Sequence, residues 1–183
     1  MTNFNIYNEL DAPASSKATL EKIKKGYGFV PNLLGVLAES NLALTSYLDL
    51  GKKLSETSLT PKEQQLLFLA ISYENQCSYC MAAHTAGAKR AKLPDVEINT
   101  LRLGEDLEDS KLNALANFAR LMFQKRGWVD EKDIEDFLNA GYTKANIFDV
   151  IIALAMKTLS NYTNHIVDTT LDNSISKFKW NKD

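Results

Sequence analysis

Apolar side chains recur along most of the chain at the three-to-four-residue spacing of amphipathic helices, and strand-like alternation is scarce. The pattern predicts an all-α protein. Pro13 suits the first turn of a helix running to about Lys25, with Leu20 and Ile23 on its stripe and Gly26 as its stop. A loop over 26–32 leads into a short, nearly all-apolar helix carrying Leu33, Leu34, Val36 and Leu37. Asn41 can cap a third helix ending near Leu54. Thr60-Pro61-Lys62-Glu63 is the clearest start signal, because Thr60 and Glu63 can cap each other's backbone N–H groups and Pro61 needs no donor there. The helix that follows carries Leu66 to Ile71 as one apolar run and belongs at the centre of the fold or at a subunit contact. Its last turn delivers Tyr73 and Glu74.

A further helix is predicted from about Cys77 to Ala91, broken by Leu93-Pro94-Asp95, with a short helix to Leu103. Asp109 or Ser110 caps a helix to Arg126, and Asp130 caps one to about Asn139. Gly141 separates it from a long final helix capped by Thr143 and reaching about Thr169. Residues 1–12 are expected as an N-terminal arm and 171–183 as a peripheral tail, so that 1–183 form a single domain. Sliding Thr60 onto Thr143 superposes two capped starts and two apolar runs, a candidate internal helical repeat. In that register Tyr79 falls on Tyr162, Cys77 on Ser160 and Cys80 on Thr163.

Composition changes this picture little. The 183 residues carry 21 Lys+Arg against 23 Asp+Glu without a biased segment, so nothing points to nucleic acid or an anionic membrane. No signal peptide is visible, and the apolar run Val150 to Met156 is too short to span a bilayer. A cytoplasmic location with reduced thiols is the expectation.

The candidate chemistry is concentrated in Glu74-Asn75-Gln76-Cys77-Ser78-Tyr79-Cys80-Met81-Ala82-Ala83-His84, which holds both cysteines of the chain. Cysteines at i and i+3 in a first helical turn can close a disulfide, and the helix N-terminus favours a thiolate. His84, one turn beyond Cys80, could pair with the thiolate as imidazolium or relay a proton as the neutral base. Glu74 could orient His84 or take its proton, and Tyr79 could hydrogen-bond a substrate or water. The set suits a two-electron cycle: a thiolate attacks a hydroperoxide, the resulting sulfenic acid condenses with the second thiol, and an external dithiol reopens the Cys77–Cys80 disulfide. No other cofactor is called for. One alternative is a zinc or redox-sensing scaffold using Cys77, Cys80 and His84, with distant His165 as the only other imidazole. His165 otherwise reads as a structural residue. It belongs with Asn161, Tyr162 and Asn164 to a polar set on an apolar helix, which must face the site, a subunit contact or water.

Glu74-x-x-Cys77-x-x-Cys80-x-x-x-His84 resembles the signature of alkylhydroperoxidase AhpD-like proteins of the carboxymuconolactone decarboxylase superfamily. Gly28-Phe29-Val30-Pro31-Asn32-Leu33 and Tyr162-x-Asn164-His165 resemble flanking segments of the same family. The resemblance implies an AhpD-like helical fold, a homo-oligomer (trimer or hexamer), and antioxidant thiol-dependent peroxidase activity served by a dithiol or lipoyl-type reductant. It also implies Cys80 as the peroxide-attacking thiol, Cys77 as the more exposed resolving thiol, and Glu74 with His84 as the proton relay. Tyr79 departs from the family's pattern, where a histidine precedes the second cysteine, and tyrosine titrates too high to replace it near neutral pH. A lactone decarboxylase-type lyase remains a further alternative, although that branch does not rely on the thiol pair.

Overall fold

Thr60 and Thr143 start the two helices around which the chain is packed. The computed structural model describes residues 4–182, and no strand occurs among them. Thr60 Oγ1 accepts from the Glu63 N–H and Glu63 returns the bond to the Thr60 N–H, opening α4 (Pro61–Glu74). Thr143 and Asn146 make the same reciprocal cap for α9 (Lys144–Val167). Leu66, Leu67, Leu69 and Ala70 of α4 are fully buried, as the apolar run predicts. Each buried leucine contributes about 1.5–3 kcal/mol relative to exposure.

Around them lie α1 (Ala14–Tyr27), α2 (Asn32–Leu37), α3 (Asn41–Ser55), α5 (Ser78–Arg90), α6 (Asp95–Leu103), α7 (Ser110–Gln124) and α8 (Glu131–Asn139). α4 packs on α5, α6, α7 and α9, and α3 packs along α9. Helix ends shift by one or two residues from expectation, and two of the shifts have a clear local cause. α1 runs through Gly26 and ends at Gly28, whose φ of 84° is the left-handed cap that glycine adopts without strain. The cap of α3 is Ser40, whose hydroxyl accepts from the Ala43 N–H, one residue before Asn41.

Two hydrophobic clusters result. The larger gathers α4, α6, α7, α8 and α9 around Leu66, Leu67, Phe118 and Phe137. The smaller joins α1–α3 to the start of α5 and contains Cys77, Tyr79 and Cys80. Of the arm expected over 1–12, residues 1–3 lie outside the described residues. Tyr7 crosses α2, its N–H donating to the Gly35 carbonyl at 3.2 Å. A Cβ on Gly35 would lie 2.5 Å from the Tyr7 carbonyl oxygen, so a side chain there would push this segment off.

The tail from Leu171 is docked rather than peripheral. A 3-10 turn at Asn173–Phe178 packs on α5, and buried Trp180 donates its indole N–H to the Arg102 carbonyl at 2.8 Å. Arg102 in turn donates to the carbonyls of Phe178 and Lys179. The candidate repeat holds at its capped starts. Beyond them α4 stops at Glu74 while α9 runs on unbroken, so Ser160 and Thr163 do not form a second turn like that of the cysteines. No described helix is long and apolar enough to cross a membrane.

Candidate active site

A tight turn between α4 and α5 sets the cysteines. Gln76 adopts φ +55°, its N–H donating to the Tyr73 carbonyl and the Cys77 N–H to that of Ser72. These two bonds complete a Schellman end to α4 and leave Cys77 as the N-cap of α5, with Cys80 one turn in. The left-handed backbone at a glutamine costs roughly 1 kcal/mol or more, which only the surrounding packing offsets. Both cysteines are free thiols and both are 1% exposed. The expectation of an exposed Cys77 is therefore corrected, because α2, α3, α9 and the docked tail close over the pair. Cys77 still borders a cavity of about 170 Å³ with Ser78, Asn164, His165 and Thr169.

The face of α9 turned to the thiols carries Lys157, Ser160, Asn161 and Asn164, all buried. Asn164 Nδ2 lies 3.2 Å from Cys80 Sγ and 3.6 Å from Cys77 Sγ. Lys157 is 0% exposed, and its Nζ is 2.8 Å from His84 Nε2. An ammonium only donates, so Nε2 is the acceptor and the ring proton sits on Nδ1, which donates to Gln65 Oε1 at 3.1 Å. The imidazole also stacks on Phe68, with ring centroids 4.5 Å apart. Gln65 can come this close because position 87 is glycine: a Cβ there would lie 2.3 Å from Oε1.

The electrostatics follow from these contacts. Burial pushes the Cys80 thiol up, but the hydrogen bond from Cys77, the charge and hydrogen bond of Lys157 and the Ser160 hydroxyl outweigh it and bring it down to about 5. The Cys77 thiol goes the other way, raised by its hydrogen bond to Cys80 and by burial. Burial, with the charges of Lys157 and Arg90, holds His84 well below the ordinary imidazole value. His84 is thus neutral near pH 7, so of the two roles the sequence left open the imidazolium is excluded, and the cation beside Cys80 is Lys157.

Glu74 does not join this set. It ends α4 on the side of α7, where its carboxylate accepts from Gln124 Nε2 at 2.9 Å. The expected contact with His84 is replaced by Gln65, two and a half turns earlier on α4, whose amide orients the ring but takes no proton. Tyr79 points away from the sulfurs: its hydroxyl donates to Asp172 Oδ2 at 2.5 Å and accepts from the Leu33 N–H at 3.3 Å. Asp172 Oδ1 also accepts from the Asn32 N–H, so the tyrosine ties α5 to α2 and the tail. His165 is exposed and sits at the rim of the Cys77 cavity, stacked on Tyr162. The polar set on α9 is therefore split, with Asn161 and Asn164 inward and Tyr162 and His165 outward.

Lys157 and Gln65 are the residues missed from sequence. A signal for Lys157 existed: Val150, Ala153, Lys157, Ser160 and Asn164 share one helical face, and its first two members are plain core residues. Gln65 carried no such signal inside an apolar run.

Residues 42–121 match the model of the carboxymuconolactone decarboxylase family. The sequence finds no match among curated proteins. Solved structures share the fold along nearly the whole chain. A peroxidase-related protein with an alkylhydroperoxidase AhpD core from Ralstonia eutropha JMP134 is 21% identical, with a TM-score of 0.82 over 94% of this chain and 93% of that one. A peroxidase-related protein from Silicibacter sp. TM1040 is 20% identical, with a TM-score of 0.78 over 98% and 100%. The debrominase Bmp8, in complex with 2,3,4-tribromopyrrole, is 14% identical, with a TM-score of 0.71 over 95% and 97%. The protein has the AhpD-like all-α fold, and its residues 42–121 are similar to the carboxymuconolactone decarboxylase family that the motif resembles.

Proposed function

We propose that the protein is a dithiol peroxidase in which Cys80 attacks, Cys77 resolves and Lys157 supplies the proton. The carrying observation is a fully buried lysine beside a buried thiol. A buried ammonium needs a nearby anion, and the anion this site offers is the Cys80 thiolate. Cys80 sulfur attacks the terminal oxygen of a hydroperoxide; the S–O bond forms, the O–O bond breaks, and the Lys157 proton goes to the departing alkoxide. An alcohol and a Cys80 sulfenic acid result. Cys77 sulfur then displaces hydroxide, which leaves with the Cys77 proton as water, and the disulfide forms. An external dithiol, of lipoyl or similar type, reduces the disulfide, and one of its two protons returns to Lys157. Neutral His84, oriented by Gln65, holds the ammonium in place.

Antioxidant turnover of this kind belongs in a compartment with reduced thiols, such as the cytoplasm. A trimer or hexamer would cover the outer face of α9, where Phe148, Tyr162 and Ile166 are exposed, and sedimentation would show it. Zinc held by Cys77, Cys80 and His84 is disfavoured by Lys157, whose ammonium occupies the free lone pair of the neutral imidazole at Nε2.

One equivalent of peroxide should remove two hydrogens per chain in the intact mass, and Cys80→Ser should abolish steady-state peroxide consumption. Full turnover by Cys80→Ser would sink the proposal. Bromide release from a bromopyrrole without peroxide consumption would move the assignment toward the chemistry of the debrominase.

A further inference from the structure

A second cavity, of about 400 Å³, shares Tyr79 with the Cys77 cavity and is lined by His84 as well. That volume is within the range of small-molecule sites, about 300–1,000 Å³. Its body is apolar and aromatic, formed by Leu34, Tyr47, Leu48, Phe68 and Met156. Its floor includes His84, the hydrogen-bonding partner of Lys157. Lys52 and Arg90 stand at its wall and are exposed, and no carboxylate lines it. Neither cation has an acidic partner within ion-pair distance among the described residues. Arg90 is close enough for its charge to bear on His84. Two exposed, unpaired cations on the wall of a largely apolar cavity select a ligand with an apolar body and an anionic end.

We propose that this cavity docks an organic hydroperoxide carrying a carboxylate. The acid group lies between Lys52 and Arg90, the hydrocarbon lies between Tyr47 and Phe68, and the hydroperoxyl end is directed to His84, whose Nε2 meets Lys157. The assignment of a hydroperoxide rests on the dithiol peroxidase proposal; the preference for an apolar acid does not.

Decanoate and decanol, which differ in the anionic end, are the binding probes, titrated by calorimetry into reduced protein. Decanoate should bind at least about tenfold more tightly than decanol. The double variant Lys52→Gln, Arg90→Gln should lose that preference while still binding decanol. Equal binding of the two probes, no binding of either, or an unchanged preference in the double variant would overturn the cavity assignment. No turnover is involved, so failure of peroxidase activity leaves this result standing, and failure here leaves the dithiol cycle standing. In turnover, the double variant should lower kcat/KM for a carboxylate-bearing hydroperoxide relative to cumene hydroperoxide, with disulfide reduction unchanged. Slower reduction with an unchanged ratio would assign the cavity to the reductant and overturn the proposal.

Discussion

The end of α4 and the middle of α9 make an instructive pair. Both helices begin with a threonine in a reciprocal cap, and both run through an apolar segment. At the end of α4 stands Glu74, adjacent in sequence to the cysteines yet turned to Gln124 of α7. In the middle of α9 stands Lys157, remote in sequence yet buried against His84 and Cys80. Nearness along the chain placed the wrong charge at the site. Residues three apart share a face only within one helix, and Glu74 ends α4 whereas Cys77 opens α5 beyond a turn, so the spacing does not bring them together. What decides a side chain's role is which neighbour its face meets.

The largest test of this contrast is Lys157→Met. Removing the cation should cut the peroxide step roughly 10²-fold or more, in the range for loss of a positioned proton donor. It should also move the acid limb of the Cys80 oxidation rate upward from about 5 toward that of a free thiol. Stopped-flow oxidation across pH 4–9 reads both, and an unmoved limb would break the pairing. Asn164→Ala should slow the same step about tenfold, because a hydrogen bond to a charged group contributes roughly 1.5–3 kcal/mol.

Stability should follow pH in a stated direction. Cys80 has a lowered value in the folded chain, so its contribution is fully present above the unfolded thiol value and is lost as pH falls through about 5. His84 adds to the same trend, since below the ordinary imidazole value the unfolded chain takes up a proton that the folded site refuses. Urea midpoints should therefore fall from pH 8 to pH 5, and less steeply in Cys80→Ser. A midpoint independent of pH in the unmodified protein would remove the lowered thiol.

Tyr79→Phe should lower stability by about 1–2 kcal/mol through loss of the bond to Asp172, with the thiol chemistry nearly intact. A loss of peroxide turnover greater than about tenfold would instead return Tyr79 to the catalytic set. The smallest effect belongs to Glu74→Gln. Peroxide turnover should change less than about twofold, since the carboxylate is turned to Gln124 and Arg120 of α7, away from the thiols. A hundredfold loss there would reinstate the relay expected from the motif.

Much of the fold was legible because helix caps and apolar spacing are local. The starts at Pro61, Ser110, Glu131 and Lys144 follow from Thr60, Asp109, Asp130 and Thr143 alone. The thiol pair was legible too, since its geometry is set within one helical turn. His84 was legible as a position but not as a charge state: only the packing of Phe68, Lys157 and Gln65 around it makes it neutral. The docked tail was hidden because Asp172 and Trp180 find partners 70 or more residues away.

By itself the sequence determined the helices, the central place of α4 and the neighbouring thiols, all of which depend on residues a few positions apart. The tertiary structure decided which thiol is the stronger acid, which cation serves it, and that Tyr79 is a clamp. Those outcomes depend on burial and on charges carried by α9, α4 and the tail, and electrostatic contacts in a low-dielectric interior act through space rather than along the chain.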